Sequence, residues 1–138
     1  MPINDLASAG LRPLGSAKVA INSATTTNFD FGAGDLNLPA LANYKHGDKI
    51  LVVLSSTSSS ATSTISFAVQ DAPDNAGSIG TPAAAVTDGN LTGGTGDQYT
   101  HTFVRVQYGR PWLRLSVTNS GTNAHTAVAR VFAVGPAV

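Results

Sequence analysis

The stretch from Pro111 to Val134, PWLRLSVTNSGTNAHTAVARVFAV, decides the fold class of this chain. Its first half alternates apolar Leu113, Leu115 and Val117 with mostly polar residues, and a period of two is typical of a strand with one buried face. Residues 119–123, NSGTN, are of the types that form turns. The stretch therefore predicts two long strands joined as a hairpin by a polar loop.

A second segment, residues 49–70, has the same plan. Ile50–Leu54, ILVVL, is a continuous apolar run of strand length, which favours a strand covered on both faces. Ser55–Ser63 is a polar loop of low complexity, and Ile65–Val69 alternates again. Two strand–loop–strand units of similar length suggest an internal repeat, although they share architecture rather than residues.

The rest of the chain adds shorter strands. They are predicted at Lys18–Ile21, Thr25–Phe31, near Val86 and at His101–Tyr108. Leu36–Tyr44 contains Pro39 and is predicted to be a loop with at most one helical turn. About seven or eight strands with turn residues between them indicate an all-β fold, an antiparallel β-sandwich of jelly-roll-like type.

The first sixteen residues are predicted to form an irregular N-terminal arm, followed by a single β-sandwich domain over 17–138. Pro13 and Gly15 interrupt any helical period in the arm. Its leucines Leu6, Leu11 and Leu14 are too numerous for a simple tail. We expect them either to cover an edge of the domain or to contact another molecule.

Composition limits the possible functions. The formal net charge is +0 and only 12% of residues are charged, whereas nucleic-acid binders carry a basic excess. The chain has no Cys, which fits assembly in a reducing cytoplasm. No basic and apolar leader begins the sequence and no apolar run is long enough for a membrane span, so we expect a cytoplasmically made protein without a membrane partner.

No catalytic or metal-binding pattern is found, so we expect neither an enzyme nor a bound cofactor. The histidines His46, His101 and His125 lie in different segments and form no HExxH motif. His101 and His125 are predicted to face solvent or an interface. There is no GxSxG elbow and no phosphate-binding loop.

Two loops raise the question of calcium. Asp71–Gly77, DAPDNAG, gathers oxygen ligands, but Asp and Asn also dominate turns for local reasons, and we favour an Asx-turn pair over a Ca²⁺ site. Gly93–Asp97, GGTGD, resembles a calcium repeat only superficially and occurs once, so it is interpreted as a flexible turn.

Three arginines and the single tryptophan each allow two interpretations. Arg105, Arg114 and Arg130 lie in three predicted strands, so they form either an interface stripe across one sheet face or part of a solvated surface. Trp112 is either a core residue, which we favour, or an exposed platform for a glycan or a protein.

The segment Arg110–Thr118, RPWLRLSVT, is followed by a Ser-Gly-Thr turn and a closing strand rich in Ala and Val. Together with Phe67–Asp71, FAVQD, this pattern resembles the capsid decoration, or cement, proteins of tailed bacteriophages. The resemblance implies a non-enzymatic subunit that binds the outer surface of the mature capsid as a homotrimer. It would bridge subunits of the major capsid protein and stabilise the virion. Under this reading the capsid or subunit contacts would come from the arm and the arginines, namely Leu6, Leu11, Arg12, Leu14, Arg105, Arg114 and Arg130.

Other classes of protein remain open at this point. The main alternative is a carbohydrate- or receptor-binding β-module of a phage tail fibre or baseplate, which would need exposed aromatic residues. The candidates are Tyr44, Tyr99, Tyr108 and Trp112. A head–tail connector or tail-tube subunit is a third possibility, but these usually carry a longer helix or a charged hairpin.

Overall fold

The computed structural model describes residues 10–58, 62–89, 91 and 93–135 of the chain. Within them the long strands are β1 (Leu11–Ile21), β4 (Lys49–Ser58), β5 (Thr64–Ala72), β11 (Gln98–Arg105), β12 (Trp112–Asn119) and β13 (His125–Val134). The short strands are β2 (Thr26–Asn28), β3 (Leu36–Asn37), β6 (Asp74–Asn75), β7 (Ser78–Ile79), β8 (Ala83–Ala84), β9 (Val86–Asp88) and β10 (Gly94–Thr95). Within these residues, one 3-10 helical turn, Leu38–Ala40, is the only helical element.

The strands form two antiparallel sheets packed face to face, which confirms the predicted all-β sandwich. The five-stranded sheet has the order β1-β13-β4-β11-β9. The six-stranded sheet has β10-β5-β12-β2 as its path, with β3 beside β12 and β8 beside β5. Strands β6 and β7 make a separate small ribbon.

The core lies between the two sheets and consists of the inward side chains of each strand. In β12 the predicted residues Leu113, Leu115 and Val117 are completely buried. They face a layer from the other sheet that includes Val52 and Val131. Burying an aliphatic side chain of this size contributes about 1.5–3 kcal/mol, so the inner layers are the main source of stability.

The predicted hairpin between β12 and β13 is wrong, because these strands lie in different sheets. Strand β12 pairs with β5, and β13 pairs with β4 and β1. The unit made of β4 and β5 crosses between the sheets in the same way. The two units therefore share a plan, as predicted, but each is an arch across the sandwich. Alternation with period two tells which face of a strand is buried and does not identify the partner strand.

The boundary of the predicted arm is also corrected. Residues 11–16 form the first half of β1, which pairs with β13 along its whole length. Pro13 is tolerated because β1 is an edge strand, and the register shifts between Pro13 and Gly15. Glycine suits position 15 because a Cβ atom added to Gly15 would lie 3.1 Å from Leu36 Cδ2. Residues 1–9, which include Leu6, lie outside the described part of the chain.

Several strand ends differ from the sequence expectation. Strand β4 continues through Ser55–Ser58, which was predicted to be a loop, because Ser56 is buried and bonded to a histidine. Strand β2 stops at Asn28, and the amides of Gly32 and Gly34 donate to Asp30 Oδ1 in the turn that follows. Strand β11 ends at Arg105 rather than at Tyr108.

Candidate binding surface

The outward side of the five-stranded sheet is the most distinctive surface of the described chain. Strand register places one apolar row across it, in the order Pro13, Phe132, Leu51 and Phe103. Pro13 is exposed and the other three side chains are half-exposed. We call this surface the open face and include the partly exposed Val53 and Val128, which lie among polar and basic residues in the next two rows.

The continuous apolar run in β4 explains the open face. Ile50, Val52 and Leu54 point into the sandwich and are fully buried. Leu51 and Val53 alternate with them and therefore point outward. The run was predicted to form a strand covered on both faces, but the described residues of this chain cover only one of them.

Basic side chains surround the apolar row. Lys18 and Arg130 are exposed and face outward beside it, and neither makes a salt bridge within the described residues. Lys49 Nζ lies 5.5 Å from the centre of the Phe103 ring, a favourable cation–π position. The open face thus combines an apolar row with the basic side chains of Lys18, Arg130 and Lys49, and the row ends at Asp88, which pairs with Phe103.

At the β9 edge of the open face, Arg105 is paired with Asp88. The guanidinium donates two hydrogen bonds to the carboxylate, at 2.6 and 3.0 Å. The hydrogen bond from Arg105 lowers the pKa of Asp88. Both side chains are more than half exposed, so this pair contributes little to stability.

The outward side of the six-stranded sheet is polar by contrast. Its positions include Ser66, Gln70, Asn28 and the hydrogen-bonded pair Thr26 and Thr118, whose hydroxyls are 2.8 Å apart. A solvated outer face is the usual finding for an antiparallel sandwich. The apolar centre of the opposite sheet is therefore a departure from the expected pattern.

The three candidate arginines do not form one stripe. Arg105 and Arg130 point outward from the five-stranded sheet, whereas Arg114 lies in the six-stranded sheet. Arg114 is bonded to Asp35 through both Nε and Nη2, with the shortest distance 2.9 Å. That hydrogen bond raises the pKa of Arg114. Of the three arginines, Arg130 lies on the open face and makes no salt bridge with an acidic residue in the described part of the chain.

Of the candidate arm residues, Arg12 and Leu14 are buried inside this chain. Arg12 is 4% exposed and bridges Asp48, at 2.8 Å, and the carbonyl oxygens of Asn43 and Gly135. Leu14 belongs to the core. Leu11 is half-buried and pairs with Val134. Arg12 and Leu14 therefore hold the first strand in place, which leaves little of their surface for outside contacts.

A buried cluster that the sequence did not predict joins the two arches. His125 is 2% exposed, and its Nδ1 and Nε2 lie 3.0 Å from the hydroxyls of Ser56 and Ser63 respectively. His125 was expected at solvent or an interface, and the structure corrects this. The serine and histidine are within reach for general-base chemistry, but a substrate has no access to them, since all three side chains are buried. The hydrogen bonds of this cluster link the end of β4 and the start of β13 to the residue that precedes β5.

The carboxylates of the Asp71–Gly77 loop are bonded to neighbouring donors. Asp71 is 2% exposed and accepts from Arg110 Nε at 2.6 Å and from Gln107 Nε2 at 3.0 Å. Asp74 accepts from the Gly77 amide, three residues further on, and from the indole nitrogen of Trp112. Within the described residues, no three His, Cys, Asp or Glu side chains come together as a metal site.

The aromatic candidates for a glycan platform are dispersed. Trp112 is 9% exposed, as the favoured core reading predicted. Tyr108 is fully exposed in the turn after β11, and Tyr99 is 78% exposed on the open face. Tyr99 lies near His101 and Phe103, whose rings contact edge to face at 6.4 Å. No helix in the described ranges is long and apolar enough to cross a membrane.

No protein-family model and no curated protein matches this chain. Among solved structures, the CBM22-1 xylan-binding domain of Paenibacillus barcinonensis Xyn10C aligns with TM-score 0.48 and 11% identity, covering 93% of this chain and 98% of that one. A Clostridium thermocellum xylanase 10B chain with CBM22-1 and GH10 modules, complexed with xylohexaose, aligns with TM-score 0.47 and 7% identity over 87% of this chain. This chain spans only 26% of that xylanase chain.

A chain of the cyanophage Pam1 capsid asymmetric unit aligns with TM-score 0.37 and 21% identity, over 97% of this chain and 99% of that chain. With every TM-score below 0.5, these similarities assign neither a family nor a function.

Proposed function

We propose that this protein is a non-enzymatic decoration protein of a tailed-bacteriophage capsid. It binds the outer surface of the mature shell and stabilises it by bridging subunits of the major capsid protein. The observation that carries the proposal is the open face, an apolar row across four strands that the described residues leave uncovered. The resemblance of Arg110–Thr118 and its following turn to capsid decoration proteins supplies the class of partner.

The physical logic of a cement protein fits a binding surface without catalytic groups. A protein that binds the expanded shell and not its precursor stabilises the expanded state by mass action. Many copies on one shell convert modest contacts into a large collective effect. Trimers at symmetry points of the shell would give each particle many such bridges.

Cosedimentation tests the proposal. Purified protein is mixed with expanded and with unexpanded shells of the phage that encodes it, each stripped of this protein, and the pelleted fraction is measured. We expect saturable binding to expanded shells and little binding to unexpanded ones. Light scattering of the free protein then tests the trimer, with an expected mass of three times 14.0 kDa. Absence of binding to either shell would refute the proposal.

A carbohydrate-binding module is the second candidate, and Tyr99 is the observation that favours it. Its ring is 78% exposed next to a shallow depression lined by His101 and Phe103. The neighbouring Leu51 and Val53 argue against a sugar, because their side chains offer no hydrogen bonds to the hydroxyls they would desolvate. Binding of xylan or another glycan that Tyr99→Ala abolishes would favour this candidate over the decoration protein.

A further inference from the structure

We propose that the partner of the open face is an acidic protein surface with an apolar centre, on the outside of the expanded shell. This inference rests on the proposed decoration function and specifies the surface and chemistry of its contact. Leu51, Val53 and Phe132 would pack against apolar residues of the partner. Lys18 and Arg130 would pair with its carboxylates.

The apolar centre is half-exposed in a position where a sandwich normally carries polar residues. Leu51 pairs with Phe132 on one side and with Phe103 on the other, so three large apolar side chains are adjacent across β13, β4 and β11. Burial of such a group in a complex supplies most of the binding energy of an interface, and a charged rim supplies orientation and association rate.

The charge of the rim selects the partner. Lys18 pairs with Val128 in the register of β1 and β13, and Arg130 lies two residues further along the same face. The pair is therefore diagonal, at a spacing of about 7–8 Å that two carboxylates of one partner strand or loop can match. Lys49, above Phe103, adds a third positive charge at the opposite side of the apolar row.

The other possible occupants fit less well. Two copies of this chain packed through their open faces would bring Lys18, Lys49 and Arg130 of one copy towards the same cations of the other. A nucleic acid would supply phosphates, but the formal net charge of the chain is +0, whereas nucleic-acid binders carry a basic excess.

The test measures binding of three double variants to expanded shells as a function of salt. Lys18→Gln with Arg130→Gln removes two positive charges from the open face. The matched control, Asn28→Glu with Ser66→Glu, changes the net charge by the same amount on exposed positions of the other sheet. A third variant, Leu51→Ser with Phe132→Ser, removes the apolar centre. Circular dichroism and thermal melting confirm that each variant is folded.

We expect wild type and the control to bind alike. The charge variant should bind about tenfold more weakly at low salt and show a smaller loss of affinity as salt rises. The apolar variant should bind at least about 30-fold more weakly, the effect of losing a central contact residue.

Four outcomes would overturn the inference. If wild type binds but the charge variant and the control are weakened equally, the open face is not the contact and the decoration function still stands. If wild type binds no shell, both proposals fail together. A dimer in light scattering that the apolar variant dissociates would identify a second copy as the occupant. Tight binding of a fluorescent oligothymidine to the open face would identify a nucleic acid.

Discussion

Replacement of His125 by alanine should strongly destabilise the fold. The imidazole is 2% exposed and joins Ser56 of β4 to Ser63, which precedes β5. A second side-chain contact between the arches, from Thr62 to Asn123, is exposed by comparison. The substitution therefore tests whether the crossing of both units between the sheets depends on this cluster.

The magnitude follows from the contacts. Alanine leaves the hydroxyls of Ser56 and Ser63 buried without their histidine partner, at a cost of about 1–3 kcal/mol each. The vacated ring volume adds a cavity term of about 1 kcal/mol or more. A total loss of about 3–7 kcal/mol is a large part of the about 5–15 kcal/mol that stabilises an ordinary domain.

Urea unfolding at pH 7, followed by far-ultraviolet circular dichroism, measures this loss. His101→Ala is the matched control, because His101 is exposed on the open face and should change the free energy of unfolding by about 1 kcal/mol or less, through the loss of its edge contact with Phe103. A double-mutant cycle with Ser63→Ala should give a coupling of about 1 kcal/mol. A His125→Ala loss below about 1 kcal/mol, or one equal to that of His101→Ala, would refute the reasoning.

Three further predictions concern the edge strand, acid stability and the tryptophan. Removing residues 1–16 should abolish cooperative melting because half of β1 and the buried Arg12 are lost; cooperative melting of this truncation near the temperature of the full chain would contradict this. Burial raises the pKa of Asp48, but hydrogen bonds and nearby cations, chiefly Arg12, lower it below 3.8 overall. A carboxylate whose folded-state pKa is depressed stabilises the fold above its unfolded pKa, and this stability is lost as pH falls through the folded pKa. The urea concentration at the unfolding midpoint should therefore decrease as the pH is lowered below about 4. Asp48→Asn should be less stable at pH 7 and lose less stability in acid, and an unchanged acid profile in Asp48→Asn would exclude this source. Trp112 fluorescence should be blue-shifted from that of free tryptophan and poorly quenched by iodide, and solvent-like emission would show that the ring is not buried.

Sequence patterning predicted the fold class because it depends on burial alone. Leu113, Leu115 and Val117 alternate with polar residues, and that alternation requires one covered face whichever strand lies beside it. Pairing depends on contacts between distant residues, so β12 and β13 were wrongly joined as a hairpin. The arm was misread because Pro13 and Gly15 normally end regular structure, and only their position on an edge strand with a register shift makes them compatible with β1.

The candidate surface was partly predictable. The unbroken apolar run Ile50–Leu54 indicated that both faces of β4 need cover, and the structure shows the outward face without it. Which residues join Leu51 on that face follows only from register, which brings Phe132 and Phe103 beside it. The His125 cluster could not be predicted, because Ser56 and Ser63 are two of many serines in a polar stretch.

Electron cryomicroscopy of expanded shells saturated with this protein tests the central claim most directly. The two sheets differ in strand number and order, so the orientation of the bound sandwich can be read from the density. We predict that the five-stranded sheet faces the shell, with Leu51 and Phe132 within contact distance of apolar capsid residues and Arg130 beside a carboxylate. Density in which the six-stranded sheet contacts the shell and the open face points to solvent would contradict the account.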